Sequence, residues 1–168
     1  PIESYDTSCI QVTMSDGCKL YHYASHALDE TINPQMALYG EEGSIEWEAS
    51  SDRARMTLAN GETHSFQNPD PERNHIRPIE QAARLVAGLD DRPLCGLAEA
   101  TPHVLAIDLA FESSCGVHPI PSSIIETRKE KGSELVAVHG MTATLNEAMR
   151  NGGMFSGIDV PWAQHTSP

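Results

Sequence analysis

The sequence predicts an α+β fold, an open, mainly antiparallel sheet of six or more strands with helices packed on one face. Short apolar–polar alternations separated by tight-turn signals occupy the first part of the chain, to about residue 66. Helical periodicity dominates the remainder. No strand–helix–strand unit, which a parallel sheet requires, is visible. Strands first and helices afterwards is the order of a layered α+β fold. The 168 residues suit one domain spanning 1–168.

Residues 8–17, SCIQVTMSDG, alternate and then turn at Asp16–Gly17, a hairpin signal. KLYHYASHA comes next as the return strand. INPQMALYG and GSIEWEAS form a second pair around Gly40–Gly43. RARMTLA and ETHSF are joined by Asn60–Gly61, the strongest short hairpin signal in the chain. The meander therefore runs over about 8–66. The two prolines of NPDPERN then close a loop.

Helices are predicted at about 75–88, 97–114 and 142–151. The first carries Ile76, Ile79, Ala83 and Val86 on one side and stops at Gly88. In the second, Leu97, Ala100, Val104, Ile107 and Phe111 recur at steps of three and four, one apolar stripe that asks for a sheet beneath it. The third ends on a glycine pair. Between them, IIETR and ELVAVHG read as edge strands, and the tail from Phe155 is expected to anchor through Phe155 and Trp162.

Taken strand by strand, the alternation gathers Ile10, Val12, Met14, Leu20, Met36, Leu38, Ile45, Trp47, Met56 and Leu58 on one face, the expected floor under the two long helices. The other face gathers Gln11, Thr13, Tyr21, Tyr23, Tyr39, Glu46, Glu48, Arg53 and Arg55. Tyrosine and arginine are enriched where a surface is buried against a partner. Gln11, Thr13, Tyr21, Tyr23, Tyr39, Arg53 and Arg55 are therefore the predicted interface.

Net charge is −13 and there are three lysines, Lys19, Lys129 and Lys131, so nucleic acid and anionic membranes are not expected partners. Cys9, Cys18, Cys95 and Cys115 are widely spaced and lack a CxxC, which fits reduced thiols and a cytoplasmic setting. No apolar run approaches the ~20 residues of a membrane span. His22 and His26 on a strand lie roughly 13 Å apart, too far for one metal ion. Asp108 and Glu112 are helical neighbours off the apolar stripe and read as a solvated face. Cys95 with His103 is the one thiol–imidazole combination considered as a nucleophile and base. Gly153–Gly157 misses the GxSxG elbow because Ser156 stands one place late. His118 and His139 are isolated. Neither GxGxxG nor GxxxxGK[ST] occurs.

The order of GSIEWEAS, NPDPERN, the helix ending at Gly88, CGLAEATPHVLAIDLAFESS, GVHPIP and GMFSGIDVPWA resembles the C-terminal domain of the Gfo/Idh/MocA oxidoreductases, the glucose–fructose oxidoreductase and inositol dehydrogenase relatives. That resemblance covers nearly the whole chain. It implies an N-terminal Rossmann domain that binds NAD or NADP, an open-faced sheet that builds a homodimer or homotetramer, and a sugar or polyol substrate held between the two domains. The family's catalytic lysine lies in a Glu-Lys-Pro motif of its Rossmann domain. No lysine here precedes a proline, and no histidine matches the family's Asp-and-His pair. The expectation is therefore a substrate-cleft and oligomerisation domain that carries no catalytic, cofactor or metal residue and is inactive alone. The alternative is a stand-alone dimeric binding module.

Overall fold

The computed structural model describes residues 5–130, 132–160 and 162–163. It contains eight strands and three α-helices, in which β1 (Thr7–Thr13) to β6 (Thr63–Gln67) precede α1 (Arg77–Val86) and α2 (Leu97–Ser113). Strands β7 (Ile125–Glu130) and β8 (Ser133–Val138) and helix α3 (Met141–Asn151) come after them. The α+β class and the antiparallel pairing are present. The single sheet of six or more strands is not: the strands form separate sheets β1–β2, β3–β4–β5–β6 and β7–β8. The chain divides into two compact units, one of Pro1–Ile32 with Ala100–Pro168 and one of Asn33–Glu99. No helix among the described residues is long and apolar enough to cross a membrane.

The sheet breaks between β2 (Lys19–Ser25) and β3 (Gln35–Gly40) because the chain after β2 is drawn onto α3. Ala27 is buried, and its carbonyl accepts the Val138 amide at 2.9 Å. The Asp29 carboxylate accepts the N–H groups of Gly140 and Thr142, each at 2.9 Å. These are the free donors at the start of α3, so a residue more than 100 positions away serves as its cap. The Thr142 hydroxyl accepts the Glu30 amide at 3.0 Å. At the far end, Gly152 adopts φ 55°, the left-handed turn that lets the helix stop. There the Tyr23 hydroxyl lies 3.2 Å from the Ala148 carbonyl and 3.0 Å from that of Gly153, its one proton shared between them.

The core of this first unit is Ala27, Val138, Met141, Leu145, Ala148 and Phe155, flanked by Cys9, Tyr23, Ile120, Ile124 and Trp162. Phe155 meets Trp162 edge-on at 5.6 Å. The third helix, shorter and less apolar than α2, is thus the one whose face is buried. No residue of α1 or α2 is buried: Leu97 is 89% exposed and Val86 92%. The expectation that helices cover one face of a common sheet is corrected accordingly. The IIETR and ELVAVHG segments pair with each other, Thr127 opposite Val136, and do not extend the meander.

In the second unit, β3, β4 (Gly43–Glu48), β5 (Arg53–Leu58) and β6 form a continuous meander. Its register places Met36 opposite Trp47, Leu38 opposite Ile45, and Ile45 opposite Met56. These share one face with Leu58, as the alternation predicts. The β3–β4 turn requires Gly43, where φ is 147° and a Cβ would collide with the Thr57 carbonyl oxygen.

Stability should respond in two ways. Leu145→Ala empties a buried site and is expected to cost about 3 kcal/mol, whereas Val86→Ala changes stability by less than ~0.5 kcal/mol. Urea titration of both variants checks this, and equal losses would place the core wrongly. The other response is to acid. Partial burial raises the Asp29 carboxyl, but the hydroxyl and amide donors of Thr142 and the amide of Gly140 outweigh it and hold the group at about 2 against an ordinary 3.8. A depressed carboxyl stabilises the fold fully above its unfolded value, and that contribution is lost as pH falls from about 4 to 2. With solvent screening, its size is on the order of 1–2 kcal/mol. Asp29→Asn should flatten the stability profile across that window.

Candidate functional site

The first unit contains a cleft of about 770 Å³. One wall is β1 with the two residues before it, and every residue from Tyr5 to Thr13 contributes. The opposite wall is the C-terminal half of α2, through Ala106, Leu109, Ala110 and Ser113 at helical spacing. Of the predicted stripe, Phe111 also lines the cleft, whereas Val104 and Ile107 do not. Helix α2 is apolar nearly all round, so periodicity alone does not select its inward side. The turn after α2, Gly116–Ile120, and the segment at Met154–Ser156 with Trp162 and Ala163 close the ends. The GVHPIP and GMFSGIDVPWA motifs thus meet β1 in one place.

Two polar side chains of the cleft, Ser114 and His118, are bonded to backbone carbonyls near the end of α2. The Ser114 hydroxyl lies 2.8 and 2.9 Å from the carbonyls of Phe111 and Gly116. His118 Nε2 lies 2.7 Å from the Ser114 carbonyl oxygen. Both side chains therefore finish the C-terminus of α2, whose carbonyls lack helical partners. Asp6 is the charged side chain in the lining, and no lysine or arginine joins it among the described residues.

Cys9 and Tyr23 stand directly opposite each other on β1 and β2. The Cys9 sulfur lies 3.7 Å from the Gly153 carbonyl and 3.8 Å from Met154 Sδ. Burial pushes the Cys9 thiol up to about 11, and burial likewise pushes the Tyr23 hydroxyl to about 12, with Cys9 and Tyr21 adding to it. At neutral pH both keep their protons. A thiol in that state is a poor nucleophile.

The predicted interface residues are divided between the two units. Gln11, Thr13, Tyr21 and Tyr23 lie on one face of β1–β2, with Gln11 opposite Tyr21. Tyr39, Arg53 and Arg55 lie on the sheet of the second unit. Tyr23 is turned to α3 and stacks on Tyr21 with ring centres 6.4 Å apart. In the second unit Glu46 pairs with Arg55 and Glu48 with Arg53 across β4 and β5, on the same face as Tyr39, as the alternation predicts. All five side chains are exposed, and Tyr39 is 78% so.

The remaining sequence candidates are exposed. Cys95 is exposed, its sulfur 3.8 Å from the adjacent Gly96 carbonyl. Asp108, Glu112 and His103 are exposed on α2. His22 lies on β2 opposite Ile10. Among the described residues no group of three or more His, Cys, Asp or Glu side chains is placed to hold a metal ion.

Sequence patterning did not reveal the cleft. Its one legible sign is that SCIQVT mixes a thiol, an amide and two hydroxyls into a strand with only two aliphatic residues, which suits a wall better than a core. Compared with models of protein families, with curated proteins and with solved structures, the chain matches none.

Brief alkylation by iodoacetamide at pH 7.5 should modify Cys18, Cys95 and Cys115, which are exposed, and spare Cys9 until the chain is unfolded. Peptide mass mapping reads the result. Early modification of Cys9 contradicts the burial described.

Proposed function

We propose that the chain is the oligomerisation and substrate-side part of an NAD(P)-dependent oxidoreductase acting on a sugar or polyol. The order and spacing of the motifs that resemble the Gfo/Idh/MocA C-terminal domain support this reading, as does the antiparallel α+β architecture. On the same reading, the cofactor and the catalytic lysine belong to a separate Rossmann domain.

The observation that carries the oligomeric half is the charged face of the second unit. Glu46 and Glu48 form a column on β4, and Arg53 and Arg55 form a column beside it on β5. A second copy related by a two-fold axis parallel to these strands sets each glutamate column over an arginine column. Exposed Tyr39 lies on the β3 flank of the same face and supplies an aromatic contact. On the second unit the proposed interface is Tyr39, Arg53 and Arg55 with the two glutamates.

A specific observation favours the second reading, a stand-alone binding module. The cleft is built entirely within the first unit and needs no further domain to complete its walls.

Sedimentation separates the outcomes. The wild-type chain is expected to be a dimer or larger, and the Arg53→Glu/Arg55→Glu variant, which sets glutamate against glutamate, is expected to be monomeric. NADH fluorescence should not change when the chain alone is added. A monomeric wild type, a variant that stays assembled, or micromolar NADH binding contradicts the proposal.

A further inference from the structure

The cleft has a second property, and it lies in the backbone of β1. The β1–β2 register pairs Asp6 with His26, whose amide donates to the Asp6 carbonyl at 3.0 Å, and the Met14 amide donates to the Cys18 carbonyl at 2.8 Å. Hydrogen-bonded and non-hydrogen-bonded pairs alternate in an antiparallel ladder. Ser8, Ile10 and Val12 therefore direct their N–H and C=O groups at β2. Thr7, Cys9, Gln11 and Thr13 direct theirs away from it. Strand β1 has β2 as its sole strand partner, and no hydrogen bond from those four outward amides is present among the described residues.

The cleft lies along that unpaired edge. A cavity against a strand's face touches alternate residues, because side chains alternate in direction. Here nine consecutive residues contribute, which is the signature of an edge. The α2 stripe faces it across the cleft.

We propose that this cleft takes a single extended polypeptide segment, which adds to β1 as a strand and lies alongside Leu109 and Ala110 of α2. Seven residues of β1 at ~3.4 Å each give a run of about 24 Å, so six or seven residues of the segment are engaged. The occupant is one strand and not a second copy of the hairpin, because residues of α2 line the same cleft as β1 and leave no open sheet edge for a further hairpin. It is neutral or basic: Asp6 is in the wall, no basic group balances it among the described residues, and the chain carries −13. Backbone pairing supplies the affinity, and side-chain contacts supply the selectivity.

The probe is a capped heptapeptide, Thr-Val-Lys-Val-Thr-Val-Lys, labelled with fluorescein and titrated with the full chain by polarisation. Two further versions carry N-methyl groups on the odd or on the even residues. Only one set of amides faces β1 in a ladder, so one methylated peptide should bind at least ~10-fold more weakly than the other. Gln11→Pro removes an outward N–H without touching the β2 ladder and should weaken binding similarly, whereas Gln11→Ala should not. Equal binding of the two methylated peptides overturns the proposal, as does failure of the parent peptide to bind at millimolar concentration. The peptide arm decides even where Gln11→Pro disturbs folding.

Discussion

The described core depends on one clamp. The segment from Tyr23 to Glu30 runs alongside α3 and satisfies both of its ends: the Asp29 carboxylate takes the first amides, and the Tyr23 hydroxyl meets the last carbonyls. A helix of 11 residues is marginal in water by itself. With its ends satisfied and Met141, Leu145 and Ala148 buried beneath it, α3 becomes the centre about which β2, β8 and the Phe155 turn assemble. Each large side chain so buried contributes roughly 1.5–3 kcal/mol. The clamp also decides the sheet topology, because a segment committed to capping a helix cannot continue into β3.

Function is distributed differently in the two units. The first has a buried core and, beside it, a cleft lined by β1, by apolar residues of α2 and by several polar side chains. The second has no buried residue among those described. Its four-stranded sheet shows Met36, Leu38 and Phe66 on one face and the glutamate–arginine columns on the other. Helix α1 adds exposed Ile79 and Val86 to the apolar surface of this unit.

Local signals were legible wherever a short stretch decides its own conformation. Asp16–Gly17 and Asn60–Gly61 make turns because glycine accepts a positive φ, 86° and 85° here. The face assignment on β3–β6 came from period-two alternation held in register by tight turns. The helix limits near Gly88 and Gly152 came from glycine at the C-terminus. The cleft was not legible, since no local pattern announces that residues 5–13, the end of α2 with the turn after it, residues 154–156 and residues 162–163 meet. Nor was the assignment of Tyr23: an alternating strand gives it a face but not what lies opposite.

By itself, then, the sequence determined the class, the antiparallel pairing of neighbouring strands and the positions of the helices, because each depends on contacts between residues close in the chain. Tertiary structure alone decided that α3 and not α2 is buried, that the meander breaks after β2, and that β1 keeps an open edge. Those outcomes rest on pairs separated by more than 100 positions, such as Asp29 with Thr142 and Tyr23 with Gly153. No window of sequence contains both partners.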